Sequence, residues 1–230
     1  MAKQAYSEVV SQFGRRILPD YHPYTQFVAR VAKRIVKVSG MDNLQWEFHV
    51  INSNEPNAFV LPGGKVFVFT GILPIVENED GMAAVLGHEI AHQLARHSAE
   101  KLSFSKIILL LQWILMAFGI SPTLLNQFAM SFILERPFSR KCETEADEIG
   151  LQLMAQACYD PHEAVNMWKR MERAGGGDIP QFMSTHPSHK NRVAYLEKEM
   201  PSALAKRASS DCTTELKNFA DMFNAEWVRW

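Results

Sequence analysis

The segment LGHEIAHQLARHSAE (86–100) places His88 and His92 four residues apart, with Glu89 directly after the first. On a helix, residues four apart lie on one face, one turn up, so two imidazoles there can approach a single metal ion from the same side. Glu89 is about 100° further round. It points beside the ion, where it can hold a metal-bound water and take its proton. Ala83, Ala84, Val85, Leu86, Ile90, Ala91, Leu94 and Ala95 make this helix apolar. Glu89 is then at least partly buried, which is costly unless an opposite charge compensates, and a zinc ion would do so.

Hydrolytic zinc needs a third protein ligand and one position open to water. The spacer HExxHxxGxxH is absent, because Ala95 stands where its Gly would be and Ser98 where its His would be. His97 is five after His92, on a different face, and reads as structural. The stretch SRKCETEADEIG (139–150) supplies Glu143 and Asp147, again four apart. Glu143 can ligate the ion. Asp147 can accept a hydrogen bond from the far nitrogen of a ligating histidine, His88 by position. Glu145 points elsewhere and reads as a solvated charge. Ala146, Ile149, Leu151 and Leu153 in the same segment argue against a merely acidic surface helix. The cofactor implied is one Zn2+ per chain.

These side chains need elements to position them. Residues 22–38 carry Phe27, Val28, Val31, Ile35 and Val38 at helical spacing, with Gly40 as the stop. Arg30, Lys33, Arg34 and Lys37 form its basic, solvated face. WEFHVI (46–51) is a β-type run and NSNEPNAF is loop-like. LPGGKVFVFTGIL reads as a Pro-Gly-Gly turn into a strand from Val66 to Thr70. Asn78, Glu79 and Asp80 are capping candidates for the HExxH helix. Asn57, Ala58 and Phe59 open a candidate edge for binding an extended substrate by β-addition, with an ordinary hairpin as the alternative.

Residues 104–120 are the most apolar stretch, but the core from Ile107 to Ile120 falls short of the roughly 20 residues a spanning helix needs. Ser121-Pro122 breaks it, and Leu124 to Leu134 follow. The segment 104–134 is either a membrane-contacting hairpin or a buried pair of helices. Lys141 to Ala157 reads helical. Asp160, Pro161 and Glu163 suggest a capping box for a helix ending near Arg173. GGGD (175–178) is a flexible link, and Ser188 to Met200 form a helix stopped by Pro201. From Thr213 the tail puts Leu216, Phe219, Phe223, Trp227 and Trp230 on one stripe.

The 230 residues suffice for one domain with a core plus an appendage, read here as a domain over 1–205 and a tail over 206–230. A net charge of −1 gives no field to recruit nucleic acid. Three cysteines without a CxxC pair argue against a cysteine-held zinc. The first residues lack a signal-peptide core, so either this segment does not direct secretion or the chain starts after a removed targeting region.

NAFVLPGGKVFVFTGIL, LGHEIAHQLARHSAE, RPFSRKCETEADEIGL and STHPSHKNRVAYLEKEMPSAL together resemble the gluzincin membrane-associated zinc endopeptidases, the type that includes HtpX and the CAAX prenyl endopeptidases. The likeness is greatest to the mitochondrial inner-membrane branch and covers about residues 50 to 205. It implies an α+β, mainly α, zincin-like domain. In that fold a small antiparallel sheet lies beside the active-site helix, and the apolar hairpin is an insertion. It implies zinc on His88, His92 and Glu143, with Glu89 as general base. His186, in the THP turn, would lie near the metal, stabilising an oxyanion or holding the open position in a latent enzyme. Arg192 would brace the site or help hold the oxyanion. His189 reads as surface. Cys158 and Cys212 could pair if the domain faces an oxidising space, and Cys142 reads as inert.

The resemblance also implies polypeptide substrates, membrane-associated or misfolded, in quality control and stress response at the mitochondrial inner membrane. The domain would face the intermembrane space, possible as a homo-oligomer. Members usually carry a targeting region and an anchor ahead of the domain, and neither is visible in this sequence. A non-enzymatic metal-bound scaffold is the competing reading, and the intact Glu89 argues against it. A latent enzyme awaiting a stimulus shares the chemistry and differs only in regulation.

Overall fold

The computed structural model describes residues 2–118, 136–174, 182–183, 186 and 192–213. Its centre is α4 (Glu79–Leu94), buried almost all round from Gly81 to Ala91. A helix without a polar face must be a core element, so others wrap it. α2 (Pro23–Ser39) lays Val28, Val31 and Ile35 against it, and ends where Gly40 takes φ 70°. α6 (Arg136–Gln156) and α7 (His162–Ala174) pack on its other sides, and α8 (Arg192–Ser209) closes over both. The short α1 (Ala2–Phe13), α3 (Leu73–Val76) and the long α5 (His97–Ala117) complete the helices among the described residues.

The three strands are β1 (Glu47–Ile51), β2 (Ala58–Leu61) and β3 (Lys65–Phe69), in the order β1-β3-β2. The sheet is mixed, which corrects the expected antiparallel one. Gly63 and Gly64 hold φ of 95° and 85° and turn β2 directly into an antiparallel β3. β1 instead joins the far side of β3 in parallel, Glu47 opposite Lys65. Helices cover both faces of β3. Val66 and Val68 enter the main core, while Phe67 and Phe69 face Tyr6 and Phe13 of α1. The outer edge of β1 is taken by Leu18 N–H donating to Val50 O at 2.8 Å and Asn52 N–H to Arg16 O at 2.8 Å. The outer edge of β2, which lies against α4, has no strand partner among the described residues.

Several local readings change. The loop reading of 52–59 gives way at Ala58, where β2 begins. α6 starts at Arg136, ahead of the expected Lys141. Glu163 does not cap α7: its carboxylate pairs with Arg170, and Asp80 Oδ1 accepts from Asp160 N–H at 2.8 Å in its place. Asp160 Oδ1 does cap, accepting from His162 N–H at 3.0 Å. Pro201 does not stop α8, because Met200 and Ala203 on either side are buried in the core and their burial outweighs one lost backbone hydrogen bond. On α2, Arg34 is not free in solvent. It donates to Ala157 O at 2.6 Å and stacks 3.9 Å above the Tyr159 ring.

The first half of the apolar stretch is one helix, α5. From its midpoint to just past its end, Ile107, Trp113 and Phe118 are 64%, 70% and 80% exposed. No described helix is long and apolar enough to cross a membrane. The second half of the expected hairpin, the GGGD link, His189 and the aromatic tail stripe lie outside the described residues.

Candidate metal centre

α4 and α6 cross at glycine. A Cβ on Gly150 would come within 2.8 Å of the backbone nitrogen of His88, and one on Gly87 within 2.9 Å of Gly150 O. This approach brings the HExxH turn and the ExxxD turn face to face. His88, Glu89, Glu143 and Asp147 are all buried there. His88 Nε2 lies 3.1 Å from His92 Nε2, and Glu143 Oε2 lies 3.2 Å from His88 Nε2. Glu143 Oε1 is 3.6 Å from His92 Nε2. His186 joins from the far end of the chain, its Nδ1 3.3 Å from His88 Nε2 and 3.2 Å from Glu143 Oε2. The four ligating atoms of His88, His92, Glu143 and His186 lie within 4.8 Å of one another.

The outer nitrogens decide whether this set fits a cation. His88 Nδ1 faces Asp147 Oδ1 at 2.9 Å. A carboxylate only accepts, so Nδ1 carries a proton and Nε2 is the nitrogen left to ligate a metal ion. His97 Nε2 faces Glu145 Oε2 at 3.4 Å, and His97 Nδ1 meets His92 Nδ1 at 2.8 Å. With its proton toward Glu145, His97 accepts from His92 Nδ1–H, and His92 Nε2 is left in the same way to ligate. Two imidazole nitrogens and a carboxylate converging at about 3 Å in water-poor surroundings need a positive charge between them, a proton or a metal ion. Two nitrogens and a carboxylate at these distances suit zinc.

The same contacts set the proton affinities. Burial works against a charged His88, but Asp147 and Glu143 outweigh it and hold the ring up to about 9. Burial dominates at His92 and lowers it. For Glu143, burial favours the neutral acid, yet His186, His88 and His92 together keep the carboxyl well below the usual range.

Arg192 is buried and spans both carboxylates. Its Nη2 donates to Glu143 Oε2 at 3.1 Å, and its Nε lies 2.7 Å from Asp147 Oδ2. The guanidinium lies 3.9 Å over the Trp168 ring. Of the two roles expected for it, this geometry supports bracing. Glu89 turns away from the ligand set, as the helical angle requires. Its buried Oε1 makes no hydrogen bond and lies 3.2 Å from His186 Nε2.

His97, read as structural, is buried and contacts His92 directly, and Glu145, read as a solvated charge, is exposed; the contact between His97 and Glu145 was not read from the sequence. The helix break that brings His97 round occurs at Arg96, with φ 57°. Nothing in QLARHS marks a left-handed residue there. At the edge expected from the sequence as a candidate for substrate, Asn57 O accepts from Phe69 N–H at 2.9 Å, Ala58 is buried, and the Phe59 ring stacks on Phe67 at 5.2 Å. Phe182 N–H donates to Pro56 O at 3.2 Å, which ties the segment before His186 to the start of that edge. Cys158 and Cys212 are disulfide-bonded, and Cys142 is free and buried.

A buried helix carrying HExxH, opposed by a Glu and Asp four apart, defines a metallopeptidase-type centre. The sequence profile of peptidase family M48 matches residues 24–200, and the chain belongs to that family. The mitochondrial metalloendopeptidase OMA1 of Schizosaccharomyces pombe is 54% identical over 217 residues, 94% of this chain and 64% of that protein. The protein of the same name from Saccharomyces cerevisiae is 39% identical over 236 residues, covering 95% and 68%. The human mitochondrial metalloendopeptidase OMA1 is 41% identical over 189 residues, 76% of this chain but 36% of its own length. The chain thus spans about two thirds of the yeast relatives and about a third of the human one.

Proposed function

We propose that this chain is the catalytic part of a zinc-dependent metalloendopeptidase. It would hydrolyse peptide bonds of membrane-associated or misfolded proteins, in quality control and stress response at the mitochondrial inner membrane. The observation that carries the reading is the convergence of His88 Nε2 and His92 Nε2 on the Glu143 carboxylate, with the buried Glu89 carboxylate beside them. His88, His92 and Glu143 would hold the ion. Bound there, zinc supplies Lewis acidity that makes water a nucleophile at neutral pH and polarises the scissile carbonyl.

Glu89 takes the proton of the attacking water and returns it to the leaving amine. Its burial in an apolar helix keeps bulk water from competing for that proton. Asp147 fixes the His88 tautomer and Arg192 fixes both carboxylates, so neither ligand swings during turnover. His186 stands between the base and Glu143, where it donates toward charge growing on the carbonyl oxygen or, in a resting state, fills the place substrate must enter. Its contacts on both sides, 3.2 Å to Glu89 and 3.2 Å to Glu143, favour a latent resting arrangement. An extended substrate would add to the strand-free edge of β2 that Asn57, Ala58 and Phe59 begin, which reads backbone more than side chains.

The test is cleavage of an unfolded, quenched-fluorescent polypeptide by wild type and Glu89→Gln with zinc content measured on the same samples. Loss of roughly 10²–10⁴-fold in rate at equal zinc is expected for removal of a general base. Equal rates in the two proteins would remove Glu89 from the chemistry.

Membrane contact is proposed for the exposed apolar end of α5. Single exposed apolar residues are common, but Ile107, Leu110, Trp113 and Phe118 follow one another along the second half of α5 and just past it. Wild type should co-sediment with anionic liposomes, and a Leu110→Lys/Trp113→Lys variant should stay in the supernatant while keeping its zinc. Equal sedimentation would point away from this helix. The relatives' names place them in mitochondria. A disulfide suits an oxidising compartment such as the intermembrane space.

A further inference from the structure

α5 begins at His97, and His97 and Glu100, three apart, share one side of it. Cys142 and Glu145, also three apart, share one side of α6, and Glu145 Oε2 lies 3.4 Å from His97 Nε2. The ligating atoms of His97, Glu100 and Cys142 lie within 4.8 Å of one another. His97 and Cys142 are buried, and Glu100 is exposed, so the group opens to solvent on one side. Cys142 is the chain's one free thiol, since the other two of its three cysteines are joined. Imidazole, thiolate and carboxylate within that reach are a donor set for zinc and for softer divalent ions.

We propose that His97, Glu100 and Cys142 form a second, outer divalent-metal site. His97 Nδ1 is taken by His92 Nδ1 at 2.8 Å, so Nε2 is the nitrogen open to an outer ion. Glu100, on the exposed side, is the ligand through which the ion would enter.

The full chain, loaded with one equivalent of zinc, is titrated with cadmium and followed by the ultraviolet thiolate-to-cadmium charge-transfer band. One further equivalent with that band is expected in wild type, and no band in Cys142→Ser. Glu100→Gln, on an exposed side chain that leaves the core untouched, should bind about tenfold or more weakly. Absence of the band in wild type, or unchanged affinity in Glu100→Gln, overturns the site. None of these readouts needs peptide cleavage, so their failure is distinct from failure of the protease reading.

Discussion

His88 is where protons and metal compete. Its proton affinity in the metal-free fold is raised from the ordinary 6.5 to about 9 by Asp147 and Glu143 against the cost of burial. The protonated ring therefore stabilises the metal-free protein fully below pH 6.5, and that contribution is lost as pH rises through about 9. Zinc binding must expel the same proton, so the stabilisation by zinc grows over the same interval. The gap in Tm between zinc-loaded and chelator-treated protein should widen from pH 6.5 to 9. A gap that narrows would take His88 out of the ligand set. At this scale the gathering of His88, His92 and Glu143 was legible, because a four-residue spacing on a regular helix fixes which side chains share a face. The contacts of His97 with His92 and Glu145 were not, because a left-handed Arg96 reorients everything after it and leaves no mark in the sequence.

Among the elements, the α4–α6 crossing places the ligands, and glycine is what permits it. Gly150→Ala would push a methyl carbon to within 2.8 Å of the His88 backbone nitrogen, which cannot rotate away as a side chain can. The two helices must part, at about 1–3 kcal/mol in unfolding free energy. Because the displaced atom belongs to His88, zinc affinity should fall as well. Denaturant unfolding of the metal-free protein and chelator competition together check this; lost stability with unchanged zinc affinity would separate the crossing from the site. Helix positions were legible from periodicity and caps, since Asn78 and Gly40 act locally. The parallel pairing of β1 and the passage of α8 through Pro201 were not. Both depend on what the element packs against, which no short window records.

For the molecule as a whole, Cys158–Cys212 joins the turn after α6 to the end of α8, 54 residues apart. Both His186 and Arg192 lie within the loop it closes. Chain-entropy arguments assign a loop of that size about 4 kcal/mol of stabilisation. A Cys158→Ala/Cys212→Ala variant should unfold at correspondingly lower denaturant. An unchanged midpoint would mean that core packing alone holds α8 in place.

α5 is also a mechanical part. Its 21 residues make an arm about 30 Å long, rooted at His97 with its apolar residues toward the tip. Tilting that arm by about 5° swings the tip by about 3 Å and barely moves the root. Motion at the tip reaches His97 as a turn with little displacement, whereas a pull along the arm moves both ends alike.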